Sequence, residues 1–257
     1  MKVVLLAGGL GTRLSEETDI KPKPMVEIGG KPIIWHIMKH FSYYGYNDFV
    51  ICCGYKGYAI KEYFMNYYLH HSDISISLKE NNFEIINSNI EPWNITLVDT
   101  GLTTMTGGRI KRIQKYIGEN NFLLTYGDGL ADVNIQQLVD FHTLSNKFCT
   151  VTSVQPKGRF GALNLDIDQK KVVSFVEKPK GDNNWINGGF LVCKPDIFQF
   201  INDDDTIWEK DPMEKIASLG EMVAFKHEGF WKPMDTLRDK HELESEWQSG
   251  NARWKTW

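Results

Sequence analysis

The sequence is poor in cysteine: of its 257 residues only Cys52, Cys53, Cys149 and Cys193 carry a thiol. None follows the paired spacing of a zinc ligand set, and two are adjacent, which does not suit a disulfide framework. They read as buried thiols of a reducing compartment, so the expected location is cytoplasmic. Long apolar runs are missing as well. No stretch approaches the ~18 residues that a membrane helix requires, and Met1 to Leu6 is a short run that soon meets glycines, fitting a buried strand rather than a secretory signal. Excess charge of one sign is also lacking, since 29 Lys and Arg face 33 Asp and Glu. That balance offers no basic footprint for nucleic acid. Neither a membrane nor nucleic acid is therefore expected as a partner. Pro/Ser linkers, charge blocks, low-complexity tracts and internal repeats are absent, so one domain over residues 1–257 with insertions is expected. Asn94-Ile95-Thr96 matches a glycosylation acceptor, but without a secretory signal it reads as chance.

What is present is an ordinary globular composition, 42% hydrophobic and 24% charged, enough for a sizeable core. Val3 to Leu6, Phe49 to Cys53, Ile95 to Val98 and Phe122 to Tyr126 are short apolar runs bounded by Gly, Asp or Asn, and read as buried strands. Between them Ile34, Ile37, Met38 and Phe41 recur at helical spacing, as do Leu138, Phe141 and His142. Strand alternating with helix predicts an α/β fold with a mostly parallel, Rossmann-like sheet and helices on both faces. From Cys149 the runs crowd together at Cys149 to Val154, Ala162 to Ile167, Val172 to Glu177 and Ile186 to Cys193, which predicts a small antiparallel extension. Helices are expected from Asp211 to Leu219 and from Leu237 to Trp247. Ile74 to Ile90 reads as a hairpin turning at Asn81-Asn82. His36 and His40 stand four apart on a predicted helix, but Ile37 replaces the glutamate of a metalloprotease motif, so they read as structural.

The first strand runs into Leu6-Ala7-Gly8-Gly9-Leu10-Gly11-Thr12-Arg13-Leu14. Closely spaced glycines let backbone N–H groups approach a polyphosphate, and a fixed cation follows. No Gly-Lys-Ser/Thr ends the loop, which excludes a Walker motif, and Leu14 replaces the third small residue of a dinucleotide fingerprint, which disfavours a nicotinamide dehydrogenase. A tight strand-to-helix turn accounts for these glycines equally well. The balance shifts at Lys21-Pro22-Lys23-Pro24-Met25, where prolines on both sides of Lys23 confine one ammonium to a narrow range of positions. Asp128, in Tyr126-Gly127-Asp128-Gly129, stands at the carboxyl end of a strand, where open α/β sheets bind ligands. Asp235 precedes a predicted helix and by itself reads as an N-cap.

The glycine loop and the Lys-Pro-Lys-Pro-Met segment together resemble the signature of the sugar-1-phosphate nucleotidyltransferases, and the likeness spans essentially the whole chain. The resemblance implies that Leu6, Ala7, Gly8, Gly9, Leu10, Gly11, Thr12, Arg13, Lys23, Asp128 and Gly129 hold a nucleoside triphosphate, with Arg13, Lys23 and Asp128 catalytic. It also implies that Asp128 and Asp235 coordinate one Mg²⁺. Two hard oxygen ligands suit that ion, which keeps waters and takes phosphate oxygens. Glu177, Lys178, Asn187 and Gly188 match family motifs that contact the sugar phosphate, and Arg159 is placed near the sugar more loosely. Thr103 to Arg109 leads into a helix, so its amides and hydroxyls, with Thr104 and Arg109, are expected to read the base or ribose. A helix cap is the alternative there, although a cation at such a place opposes the helix dipole. Asp203-Asp204-Asp205 reads as loop charge.

Ser15-Glu16-Glu17-Thr18 after the arginine, Val98-Asp99-Thr100-Gly101, and Trp231 to Thr236 resemble the CTP-using branch of that family. So does the ending Arg253-Trp254-Lys255-Thr256-Trp257. This implies CTP and α-D-glucose 1-phosphate as substrates and CDP-glucose and pyrophosphate as products, by in-line attack without a covalent intermediate. It also implies a homo-oligomer whose product feeds dideoxyhexose synthesis. A dTTP- or UTP-using relative and a catalytically silent nucleotide-sugar sensor remain as alternatives, the second opposed by retention of Arg13, Lys23, Asp128 and Asp235 together.

Overall fold

The computed structural model describes residues 1–88, 90–156, 162–165, 168, 171–176 and 184–257. Seven strands form its central sheet: β1 Val3–Ala7, β2 Asp48–Cys53, β3 Asn94–Asp99, β4 Phe122–Tyr126, β5 Cys149–Val154, β6 Ile186–Cys193 and β7 Met222–His227. Their spatial order is β7-β5-β6-β4-β1-β2-β3. All pairings are parallel except those of β6, which runs against both β4 and β5. The expected mostly parallel sheet is thus present. Of the four crowded runs after Cys149, two lie within the main sheet as β5 and β6. Only Ala162–Leu165 and Val172–Val176 pair as a separate antiparallel ribbon. The reason is burial: every residue of β5 is buried, as expected of a strand covered on both faces.

Alternation along β1 divides the core in two. Val3, Leu5 and Ala7 point to one face, where they meet Ile34, Ile37, Met38 and Phe41 of α1 (Ile33–Tyr43). Val4 and Leu6 point to the other, with Ile110 of α2 (Thr106–Arg112), Trp208, and Ile216 of a later helix, Asp211–Ser218. Successive side chains on a strand face opposite sides, so one apolar run serves both layers. The first face is also covered by α3 (Ile135–Ser145) and by Leu243 of a last helix, Leu237–Gln248. The expected hairpin pairs Ser72–Ser77 with Asn82–Ser88, and Asn81 turns it at φ +52°. The four cysteines are buried free thiols, and burial pushes Cys53 up to about 11. Among the described residues no helix is long and apolar enough to cross a membrane.

His36 and His40 are fully inside and fasten the end of the chain to α1. Trp254 donates its indole N–H to Nδ1 of His36 at 3.4 Å, which places the imidazole proton on Nε2, 2.8 Å from the Ile28 carbonyl. His40 lies 2.9 Å from the Val133 carbonyl through Nε2 and 3.0 Å from the Thr256 hydroxyl through Nδ1. Burial lowers both imidazoles from 6.5 to about 4. The unfolded chain therefore binds more protons than the folded one between these values. The stability they contribute is full above pH 6.5 and is lost as pH falls toward 4. Urea titrations are expected to show the midpoint falling between pH 7 and pH 4.5, with a flatter dependence in His40→Gln.

Candidate active site

The carboxyl ends of β1 to β4 meet at one edge of the sheet, where the loops carrying Gly8, Gly54, Gly101 and Gly127 leave it. Asp128 and Asp235 are brought together there by a short antiparallel ribbon, Gly129–Ala131 with Trp231–Pro233, in which Gly129 pairs with Pro233. One carboxylate lies just before the first strand and the other just after the second, and the Met234 N–H donates to the Asp128 carbonyl at 2.9 Å. Asp235 is not the N-cap. Thr236 caps the last helix and forms a capping box with Asp239, so the Asp235 carboxylate is available elsewhere. It faces Lys23.

The Lys23 ammonium lies 2.6 Å from Asp128 Oδ2 and 2.8 Å from Asp235 Oδ1. Its position is fixed by a single 3₁₀ turn, Lys23–Met25, flanked by Pro22 at φ −65° and with all three residues buried. Neighbouring glycines let this turn approach. A Cβ on Gly11, which has φ +66°, would stand 2.8 Å from the Thr18 methyl and 3.2 Å from Lys23 Cβ; one on Gly127 would stand 3.0 Å from Pro24 Cγ. Two carboxylate oxygens focused on one cation are a hard donor pair that also suits a divalent metal. No cluster of three or more His, Cys, Asp or Glu with metal-binding geometry occurs among the described residues. A metal here would therefore complete its shell with water and ligand oxygens.

The glycine loop leaves the sheet after Gly8, with Gly9 and Leu10 exposed. Among the described residues, the backbone N–H groups of Gly9, Leu10, Gly11 and Thr12 meet no protein acceptor, as a polyphosphate cradle requires. Arg109, expected to read the base or ribose, is held among backbone oxygens. It is 4% exposed, and its guanidinium donates to the Thr100 hydroxyl at 2.8 Å, the Gly101 carbonyl at 2.7 Å and the Leu102 carbonyl at 3.3 Å. A Cβ on Gly8 or Gly54 would fall 2.2 or 2.3 Å from its Nη1. Arg109 thus supports the loop from beneath, with backbone oxygens compensating its charge.

Several donors of the Thr103 to Arg109 segment are engaged within the protein. The N–H groups of Gly107 and Gly108 donate to the Thr206 carbonyl at 2.9 and 3.3 Å, and Met105 donates to Asp204 at 2.8 Å. The Thr106 hydroxyl donates to Glu209 at 2.6 Å and accepts from the Trp208 N–H at 2.9 Å. These amides thus bond the backbone of another segment, the helix having Met105 at its N-cap and no side-chain cap bond, while Thr104 is buried beside Gly101. Asp204 pairs with Arg112 and Asp203 accepts from Thr206, as expected of loop charge.

Beside Asp128 lies a cavity of about 50 Å³ lined by Tyr126, Gly129, Asn187, Gly188, Gly189 and Trp231, among others. Asn187 and Gly188, expected on the sugar side, thus share a pocket with Asp128 and Gly129. The side chain of Arg13 and all of Arg159, Glu177 and Lys178 lie outside the described residues. The sequence reading missed Trp231, whose indole donates to the Gly188 carbonyl at 2.6 Å, and Glu209, which accepts from Tyr126 at 2.6 Å. Trp231 opens the Trp231 to Thr236 segment but is not marked there as a pocket residue, Glu209 stands in no motif, and both act across long separations in the chain.

A model of the nucleotidyl transferase family matches residues 2–243, and the chain belongs to that family. It is a nucleotidyltransferase by this membership and by the sheet-edge site it builds. Over the whole length of both chains it is 58% identical to the glucose-1-phosphate cytidylyltransferase of Salmonella typhi. It is 42% identical over both full lengths to the probable glucose-1-phosphate cytidylyltransferase of Bacillus subtilis. Among solved structures, HddC from Yersinia pseudotuberculosis is similar at a TM-score of 0.70 and 25% identity, over 96% of this chain and 99% of that one.

The placement of Arg109 has a measurable consequence. Arg109→Met removes the donor that the buried Thr100 hydroxyl and Cys53 carbonyl share with the part-buried Gly101 and Leu102 carbonyls, and leaving a buried acceptor unsatisfied costs about 1–3 kcal/mol. Urea denaturation without any nucleotide is expected to show a loss of about 2 kcal/mol or more. An arginine serving only a ligand would leave the midpoint in place.

Proposed function

We propose that this chain transfers a cytidylyl group from CTP to α-D-glucose 1-phosphate, releasing pyrophosphate and forming CDP-glucose. The observation that carries the reading is the convergence of Lys23, Asp128 and Asp235 beside the glycine loop. The choice of base and sugar is supported by the full-length identity to the Salmonella typhi enzyme.

A sugar 1-phosphate is largely dianionic at neutral pH, because such a phosphate loses its second proton near pH ~6. The attacking oxygen needs no general base. What the protein must supply is alignment of attacking and leaving oxygens and neutralisation of crowded anions. The amides of Gly9 to Thr12, which meet no backbone acceptor among the described residues, cradle the triphosphate, and Lys23, with Arg13 by family likeness, offsets its charge. Asp128 and Asp235 would hold Mg²⁺, which, when bound, supplies positive charge to the phosphate oxygens. Asn187 and Gly188 line the sugar pocket, with Glu177 and Lys178 assigned to the sugar phosphate by likeness. No enzyme nucleophile is needed. The working unit we propose is one domain over the whole chain, assembled as a homo-oligomer.

The test is pyrophosphate release from purified protein with Mg²⁺ and glucose 1-phosphate, offering CTP, UTP, dTTP and ATP separately. Release with CTP is expected, and preference for UTP or dTTP would move the chain to another base. Lys23→Met and Asp128→Asn should each lower turnover by ~10²-fold or more, the scale of losing one stabilising group.

A further inference from the structure

Glu209 is exposed on the surface, far in sequence from every site motif, yet both of its carboxylate oxygens are engaged. Oε2 accepts from the Thr106 hydroxyl and Oε1 from the Tyr126 hydroxyl, each at 2.6 Å. Tyr126 is the last residue of β4 and a wall of the cavity beside Asp128. Asn187 lines the same cavity, and its side-chain carbonyl oxygen accepts from the Gly189 N–H at 2.8 Å. Gly189 in turn packs on the Tyr126 ring. One chain of contacts therefore runs from Asn187 through Gly189 and Tyr126 to Glu209 and Thr106.

The far end of that chain is anchored. Residues 203–209 are stitched to α2 by the Thr206 carbonyl on Gly107 and Gly108, by the Trp208 N–H on Thr106, and by Asp204 on Arg112. The near end has little freedom. Gly189 has φ +81°, and a Cβ there would fall 2.7 Å from the Tyr126 ring, so ring and backbone are in close contact. Tilting the ring would disturb Gly189 and, through its N–H, the Asn187 amide. A hydroxyl held on a charged acceptor is the stronger kind of hydrogen bond and carries geometric specificity.

We propose that Glu209 is a positioning residue for the sugar 1-phosphate. It acts through Tyr126, whose hydroxyl it holds and whose ring, packed on Gly189, sets the orientation of Asn187 in the sugar pocket. The assignment rests on the function proposed above. It predicts that loss of Glu209 weakens capture of the sugar phosphate and spares capture of the nucleotide.

The experiment is steady-state kinetics and thermal melting of Glu209→Ala, Glu209→Gln, Tyr126→Phe and the double variant Glu209→Ala/Tyr126→Phe. Glu209→Ala and Tyr126→Phe are each expected to raise KM for glucose 1-phosphate about 10-fold, with KM for CTP within about 2-fold, consistent with loss of a positioned contact. Glu209→Gln keeps a carbonyl acceptor for the tyrosine and should recover most of the loss. The double variant should be no worse than the worse single one, because both cut the same chain. An unchanged sugar-phosphate KM in Glu209→Ala would overturn the proposal, as would additive losses or equal effects on both substrates accompanied by a lowered melting temperature. If the unsubstituted protein transfers no nucleotide to glucose 1-phosphate, the functional reading fails and the role of Glu209 falls with it. Transfer by the unsubstituted protein with no KM change in the variants defeats only the role of Glu209.

Discussion

The ammonium of Lys23 between the carboxylates of Asp128 and Asp235 is the contact on which the rest of the site depends. Two carboxylates at such range repel unless a cation separates them, and the pairing is strong only where water is largely kept out. The fold supplies those conditions through separate devices. A proline-bracketed turn buries the lysine, a two-stranded ribbon aligns the aspartates, and a capping box at Thr236 releases Asp235 from the task a helix start usually sets. Each device is local, but the contact joins residues 23, 128 and 235. A buried charge missing its partners is among the costlier defects a structure can carry. Retaining this triad therefore constrains three distant stretches of chain at once.

The layers of the fold follow the same economy. Alternating side chains on β1 feed two cores, so the strand bearing the glycine loop is clamped from both faces. Its loop can remain open and exposed because everything before Gly8 is held. Below, Arg109 presses on the backbone of Gly8 and Gly54, places where any side chain would collide with it. Here glycine permits the close approach of a guanidinium from within, while at Gly11 it permits a positive φ.

Much of this was legible in the chain. The four apolar runs before Cys149, the helix through Ile34 and Phe41, and the turn at Asn81 follow from periodicity and turn chemistry, which are local properties. The triad was legible only in part. The prolines mark Lys23 as held, and likeness to a family pairs Asp128 with Asp235, but spacing alone favoured a helix cap for the latter. The Thr236 to Asp239 spacing of a capping box was the available signal. Arg109 was expected at a ligand because its charge asks for an anion; the carbonyl oxygens that meet it in the fold have no signature in the sequence. Tyr126, Glu209 and Trp231 were not legible as a group, since their partners lie 43 to 103 residues away and nothing in a one-dimensional pattern encodes such a meeting.

The reversed direction of β6 gives the sheet edge a second polarity. Residues 127 and 128 reach the edge as the chain departs from the sheet, whereas Asn187 and Gly188 reach it as the chain arrives. Departing loops are long and can be varied without disturbing the strand already laid down. Arriving residues are bound at once into pairing, so their side chains are set by the register of the sheet itself. One border of the pocket is thus adjustable and the other is ruled by the lattice of backbone bonds, an asymmetry that leaves new chemistry to be gained mainly on the departing side.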